Sequence, residues 1–155
     1  MEQSIIQLIT ATLGSFGFSV LYNHRSNKLI IATLGGLFSW LVYLLLEPLF
    51  PSESIRYLIS SSAITIYAEI FARVLRTPTT SFLVPSIIPL VPGRALYYTM
   101  NYALHSQWPE CVESAMYTMQ LALFIAVGII AVTTSIRILH SISVNSKHHS
   151  VYHRR

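Results

Sequence analysis

Two groups of residues in this chain have the types and the spacing to do chemistry. The first is Glu69 with Arg73, one helical turn apart inside an apolar stretch. An ionisable group in a membrane helix is costly and marks a functional site by default. Ser62, Thr65, Glu69, Ala72 and Arg76 follow spacings of three and four, so a helix sets them on one face that should meet protein or water rather than lipid. Two readings of Glu69 stand: a proton- or ion-coupling group, or the partner of Arg73 in an i,i+4 ion pair. The second group lies in a stretch with three prolines in eight residues, Pro85, Pro89 and Pro92, followed by Gly93, Arg94 and Tyr97. Proline lacks the N–H and clashes with the preceding turn, so this stretch cannot be a regular helix. In lipid, irregular backbone survives only inside protein or beside a wet cavity. A helix restarting at Pro92 would aim free N–H groups and a positive dipole end at the middle of the segment, a site suited to a carboxylate. Arg94 in the first turn opposes that dipole and requires an anionic partner: substrate, Glu69 or another subunit's carboxylate. Gly93 would give backbone freedom or close approach, and Tyr97 a hydroxyl one turn on. Pro89, Pro92, Gly93, Arg94 and Tyr97 are the candidate substrate-binding residues. The competing reading is a kink that only fits the helix to its neighbours.

The elements that must position these groups are membrane helices. Of the 155 residues, 53% are hydrophobic, 10% are charged and none is aspartate, against about 25% charged in a soluble domain. Mean hydropathy is +0.56. Five stretches come near the roughly 20 apolar residues a spanning helix needs: Ser4–Tyr22, Leu29–Leu46, Ile55–Leu75, the broken Ser81–Leu104, and Ser114–Leu139. Residues 1–140 thus form an all-α integral membrane domain, its fourth helix broken near the midplane, and 141–155 a basic, His-containing cytoplasmic tail. With five spans, Arg25, Lys28, Arg73, Arg76, Arg137, Lys147, Arg154 and Arg155 share one side. Glu2, Glu47, Glu53, Glu110 and Glu113 share the other, with Arg56 the exception. The positive-inside rule then puts the N-terminus outside and the C-terminus in the cytoplasm. Small residues at helical spacing, Ala11, Ser15 and Ser19 and again Val127, Ala131 and Ser135, mark faces where helices can approach closely. Tyr22, Trp40, Tyr43, Tyr97, Tyr98, Tyr102 and Trp108 read as interfacial anchors or packing groups.

Other chemistries find little support. The basic residues form no stripe beside stacking aromatics, which argues against nucleic acid. Ser60, Ser61 and Ser62 have no base and acid to form a triad, and no nucleophile–base pair stands out, so an enzyme is not expected. His148, His149 and His153 lack acidic or cysteine companions, so no metal is expected, and no other cofactor. There is no phosphate-binding glycine loop. Cys111, the single cysteine, allows no intrachain disulfide.

The run Ala68-Glu69-Ile70-Phe71-Ala72-Arg73-Val74-Leu75-Arg76-Thr77-Pro78, continued by Phe82-Leu83-Val84-Pro85-Ser86-Ile87-Ile88-Pro89-Leu90-Val91-Pro92-Gly93 and Tyr97, resembles the threonine/serine exporter family. Gly17-Phe18-Ser19-Val20-Leu21-Tyr22-Asn23 fits as well. The chain is most similar to the small subunit of the split form, equivalent to the C-terminal half of fused members. The resemblance implies export of small amino acids such as threonine and serine, or of small dicarboxylates such as succinate. It also implies a proton gradient as drive, the inner membrane as location, and a larger membrane subunit as partner. Arg94 departs from the small residue usual after the Pro-Gly, leaving open an acidic substrate or a contact with that subunit. Alternating access around the fourth helix is the expected mechanism. The alternative is a non-transporting assembly or regulatory subunit; association with further copies of the chain is also open.

Overall fold

The computed structural model describes the backbone of residues 2–152 and the side-chain surroundings of residues 2–139. His153, Arg154 and Arg155 lie outside the described residues. The described chain is helical throughout: α1 (Glu2–Leu21), α2 (Asn27–Leu46), α3 (Glu53–Val74), α4 (Thr80–Ile87), a 3₁₀ turn (Ile88–Leu90), α5 (Gly93–Leu104) and α6 (Trp108–Tyr152). Three helices, α1, α2 and α6 over Trp108–Leu139, are long and apolar enough to cross a membrane. Helix α3 is long enough but carries the polar stripe, and the fourth segment is divided by its break. The long helix continues through 141–152, the stretch assigned from sequence to a tail.

The connections between helices set the alternation. Three helices end in the same way: the residue beyond the cap turns left-handed and the next amide closes back five residues. At α1 this residue is Asn23 (φ 56), with the His24 N–H donating to the Ser19 carbonyl at 3.1 Å. At α3 it is Arg76 (φ 51), with Thr77 donating to Ala72 at 2.9 Å. At α5 it is Ser106 (φ 58), with Gln107 donating to Tyr102 at 2.9 Å. The chain thus makes five passes between two ends. The α1–α2 and α3–α4 turns share one end, where the His24 ring lies 6.0 Å from Phe82. The α2–α3 turn lies at the other, where Tyr43 and, from α6, Tyr117 both reach Glu53. Helices α3 and α6 run in parallel: Gln120 donates to Ser54 at 3.0 Å, and further along Gly128 faces Ser61.

Packing relies on small residues, as it must where lipid supplies no hydrophobic drive between helices. Ser15 and Ser19 of α1 are buried, Ser15 against Gly36 of α2. Ser86 of α4 sits against Gly35 of α2. On α6 the buried face is Thr118, Leu121 and Gly128. Val127, Ala131 and Ser135, expected to form that contact, are exposed. Several registers on α6 offer small residues. The one that packs puts a hydrogen where Ser61 and the Leu58 carbonyl come close, a place no side chain fits. On α3, Ser60, Ser61 and Thr65 are fully buried. Ser61 and Thr65 donate back to carbonyls of their own helix at 2.9 and 2.6 Å, so their polarity is met locally.

Candidate functional site

The break in the fourth segment is built from missing donors. Pro89 has no N–H to give the Pro85 carbonyl, and the 3₁₀ turn at Ile88–Leu90 frees that of Ser86 from α-helical pairing. The Ser39 hydroxyl of α2 lies 2.9 Å from both the Ser86 carbonyl and the Gly36 carbonyl of its own helix, so its one hydrogen is shared between them, while the Ser86 hydroxyl donates to the Ala32 carbonyl at 3.1 Å. The neighbouring helix thus satisfies and clamps the first half of the segment. The backbone then extends at Val91 (φ −62, ψ 126), and Pro92 caps α5, which begins at Gly93. The restart therefore lies one residue later than the sequence predicts. No side chain caps this N-terminus; the Gly93 N–H turns back to the Val91 carbonyl at 2.7 Å, and the Arg94 and Ala95 amides are left for water or a ligand.

These amides border a cavity of about 1070 Å³. It lies between α5 and the first turns of α6, and is walled by the start of α3 and by Trp40 of α2. Pro92, Gly93 and Arg94 stand on one wall; Glu53, Glu110 and Glu113 are the carboxylates of the lining. Arg94 lies over the Tyr98 ring with its guanidinium carbon 5.8 Å from the centroid, and no described carboxylate is within 4.0 Å of it. Glu53, half-buried, accepts the Tyr43 hydroxyl at 2.9 Å on one oxygen and the Tyr117 hydroxyl on the other. Trp40 stacks on Tyr43 with ring centroids 4.8 Å apart, and its indole N–H is buried without a protein partner.

The fold brings together only part of the candidate set. Pro92, Gly93 and Arg94 line the cavity, whereas Pro89 lies in the preceding turn. Tyr97 is 65% exposed and off the lining, edge-on to Tyr98. Glu69 and Arg73 sit at the opposite end of the bundle and pair with each other at 3.7 Å. Glu69 is about 24 Å from Glu53 along α3, at a rise of about 1.5 Å per residue, so it is no partner for Arg94. No glycine has positive φ and a Cβ at Gly93 would meet nothing within 4 Å, so the fold itself does not require glycine there.

Comparison with protein families agrees with this architecture. The family model described as Threonine/Serine exporter, ThrE, matches residues 7–135. The chain belongs to the threonine/serine exporter family. The matched stretch holds the broken segment and the whole cavity, from Trp40 to Phe124. No curated protein and no solved structure matches the chain. Membership makes this a membrane transporter-type chain.

Reading the sequence alone misses Glu53, Tyr43, Tyr57, Tyr117 and Trp40 as a group. Glu53 marks only a membrane side there, Trp40 and Tyr43 read as anchors or packing groups, and Tyr57 and Tyr117 are not singled out. The available signal was local: Glu53 and Tyr57 are one turn apart on α3, on the face that also carries Ser61.

Proposed function

We propose that the chain is a membrane subunit of a secondary exporter of small amino acids of the threonine and serine type, and that the cavity beside α5 is its substrate site. One observation carries this reading: a single cavity sets the uncapped start of α5 and Arg94 against Glu53, Glu110 and Glu113. An α-amino acid carries both charges that such walls would hold. A dicarboxylate such as succinate would set its second charge among the three acidic side chains, so the lining favours the amino acid.

The break supports alternating access. The first half of the segment is clamped by Ser39 and Gly35 on α2, while α5 has no buried residue. The loosely held half lines the cavity and would move about Val91 and Pro92. In this reading the five passes are membrane spans of the plasma membrane, with the N-terminus outside and the basic end in the cytoplasm. A larger companion subunit and a proton gradient belong to the reading through the family resemblance. Glu69, tied to Arg73 far from the cavity, serves as the ion-pair partner rather than the coupling group.

The test is efflux from cells loaded with threonine as a dipeptide. Removing the chain should slow efflux, and Arg94→Ala should slow it nearly as far while the protein stays in the membrane. Full efflux with Arg94→Ala, and none without the chain, would instead mark an assembly subunit.

A further inference from the structure

We infer that Glu53 is the residue by which the site selects substrates bearing an ammonium group, with Tyr43 and Tyr117 as its positioning residues. The assignment rests on the cavity being the exporter's substrate site. Its basis is the charge arrangement around one carboxylate. Tyr43 and Tyr117 each donate to a different oxygen of Glu53, which fixes the plane of the carboxylate and leaves a lone pair on each oxygen. The nearest cation on the same helix is committed elsewhere: Arg56 pairs with Glu47 at 4.0 Å and lies 4.9 Å over the Tyr43 ring. No described basic side chain comes within 4.0 Å of Glu53. A carboxylate held by two phenols, with no basic side chain in direct contact, can still take a cation on the lone pairs left to it.

The cavity supplies the rest of an ammonium site. Trp40 adds aromatic surface to the lining near Glu53, while Tyr57 is buried and 5% exposed, and aromatic surface attracts a cation. The cavity's other charged feature is the start of α5 with Arg94, which suits the carboxylate of the same molecule. Glu53 would therefore distinguish an amino acid from the hydroxy acid of the same shape.

The experiment uses the protein purified from its native membrane with whatever subunits accompany it, and reads binding of labelled L-serine. Unlabelled L-serine and glycerate, which has a hydroxyl in place of the amine, serve as competitors. Wild type should prefer L-serine. Glu53→Gln should weaken L-serine by about tenfold or more, as expected when one partner of a charged pair is removed. It should leave glycerate nearly unchanged, so that the preference collapses. Glu53→Asp should restore part of it, and Tyr117→Phe should reduce the preference by a smaller factor. Equal loss of L-serine and glycerate in folded Glu53→Gln, or no change in either, overturns the assignment while leaving the exporter reading in place. If Glu53→Gln does not fold, an unchanged preference in Tyr117→Phe overturns it. A wild-type protein that binds no L-serine overturns the exporter reading, and this assignment with it.

Discussion

At the scale of the residue, an arginine in the first turn of a helix is disfavoured by the helix's own dipole. Arg94 holds that position beside the cavity, over the Tyr98 ring and with no described carboxylate within 4.0 Å. Arg94→Ala should therefore weaken binding of a carboxylate substrate by about tenfold or more, while thermal stability stays near wild type because the side chain is exposed. Arg94→Lys should recover only part, since a lysine cannot grip a carboxylate with two parallel hydrogen bonds. Competition binding and a melting curve read the two effects separately. His24, in the α1–α2 turn, gives a pH prediction. Burial, and after it the charge of Lys28, holds its imidazole below the ordinary 6.5. The unfolded chain then binds the proton more readily than the folded one. The stability from neutral His24 is fully present above pH 6.5 and is lost as pH falls through the lower folded-state value. Melting temperature should fall from neutral pH to about pH 5, and His24→Gln should flatten that fall. Arg94 and Pro92 were legible in the sequence because their chemistry conflicts with a regular helix wherever they stand. Glu53 was not, because its role comes from Tyr43 and Tyr117, ten residues before it and sixty-four after it.

The element that matters most is the divided fourth segment, whose first half is fixed by contacts with α2. Ser39 lies within donating distance of the Ser86 carbonyl. Ser39→Ala should cost about 1–3 kcal/mol by leaving a buried carbonyl without its partner. At the α3–α6 seam the close neighbour includes backbone. A Cβ at Gly128 would stand 2.7 Å from the backbone oxygen of Leu58, so Gly128→Ala should destabilise by about 1–3 kcal/mol through overpacking. Gly93→Ala, where a Cβ meets nothing within 4 Å, should leave folding intact. Melting in detergent orders the three variants. Helix existence and the break were legible from apolar length and proline chemistry, which are local. The packing face of α6 was not: Val127, Ala131 and Ser135 have suitable sizes, but the seam is decided by where Ser61 and Leu58 of another helix come close. Likewise α3 keeps its polar residues because its own carbonyls accept the hydroxyls of Ser61, Ser62 and Thr65.

For the whole molecule, five alternating passes gather Arg25, Lys28, Arg73 and Arg76 at one end and Glu47, Glu53, Glu110 and Glu113 at the other. The cavity opens among the acidic group, away from the Glu69–Arg73 pair. The pairing of charge with turns was legible because loop charges follow pass number. The proposed site is anticipated in the sequence only as far as the break, because its acidic wall is assembled from α3 and α6. The central claim is that a small amino acid binds against the start of α5, and site-directed thiol protection tests it most directly. With Cys111→Ser as background, Gly93→Cys and Tyr97→Cys are made in the protein in its native membrane, and each is labelled with a small thiol reagent as L-serine is raised. The account predicts that L-serine slows labelling at Gly93→Cys in a saturable way and leaves Tyr97→Cys, which is off the cavity lining, unaffected. Labelling at Gly93→Cys that L-serine does not slow, or that slows equally at both positions, would contradict it.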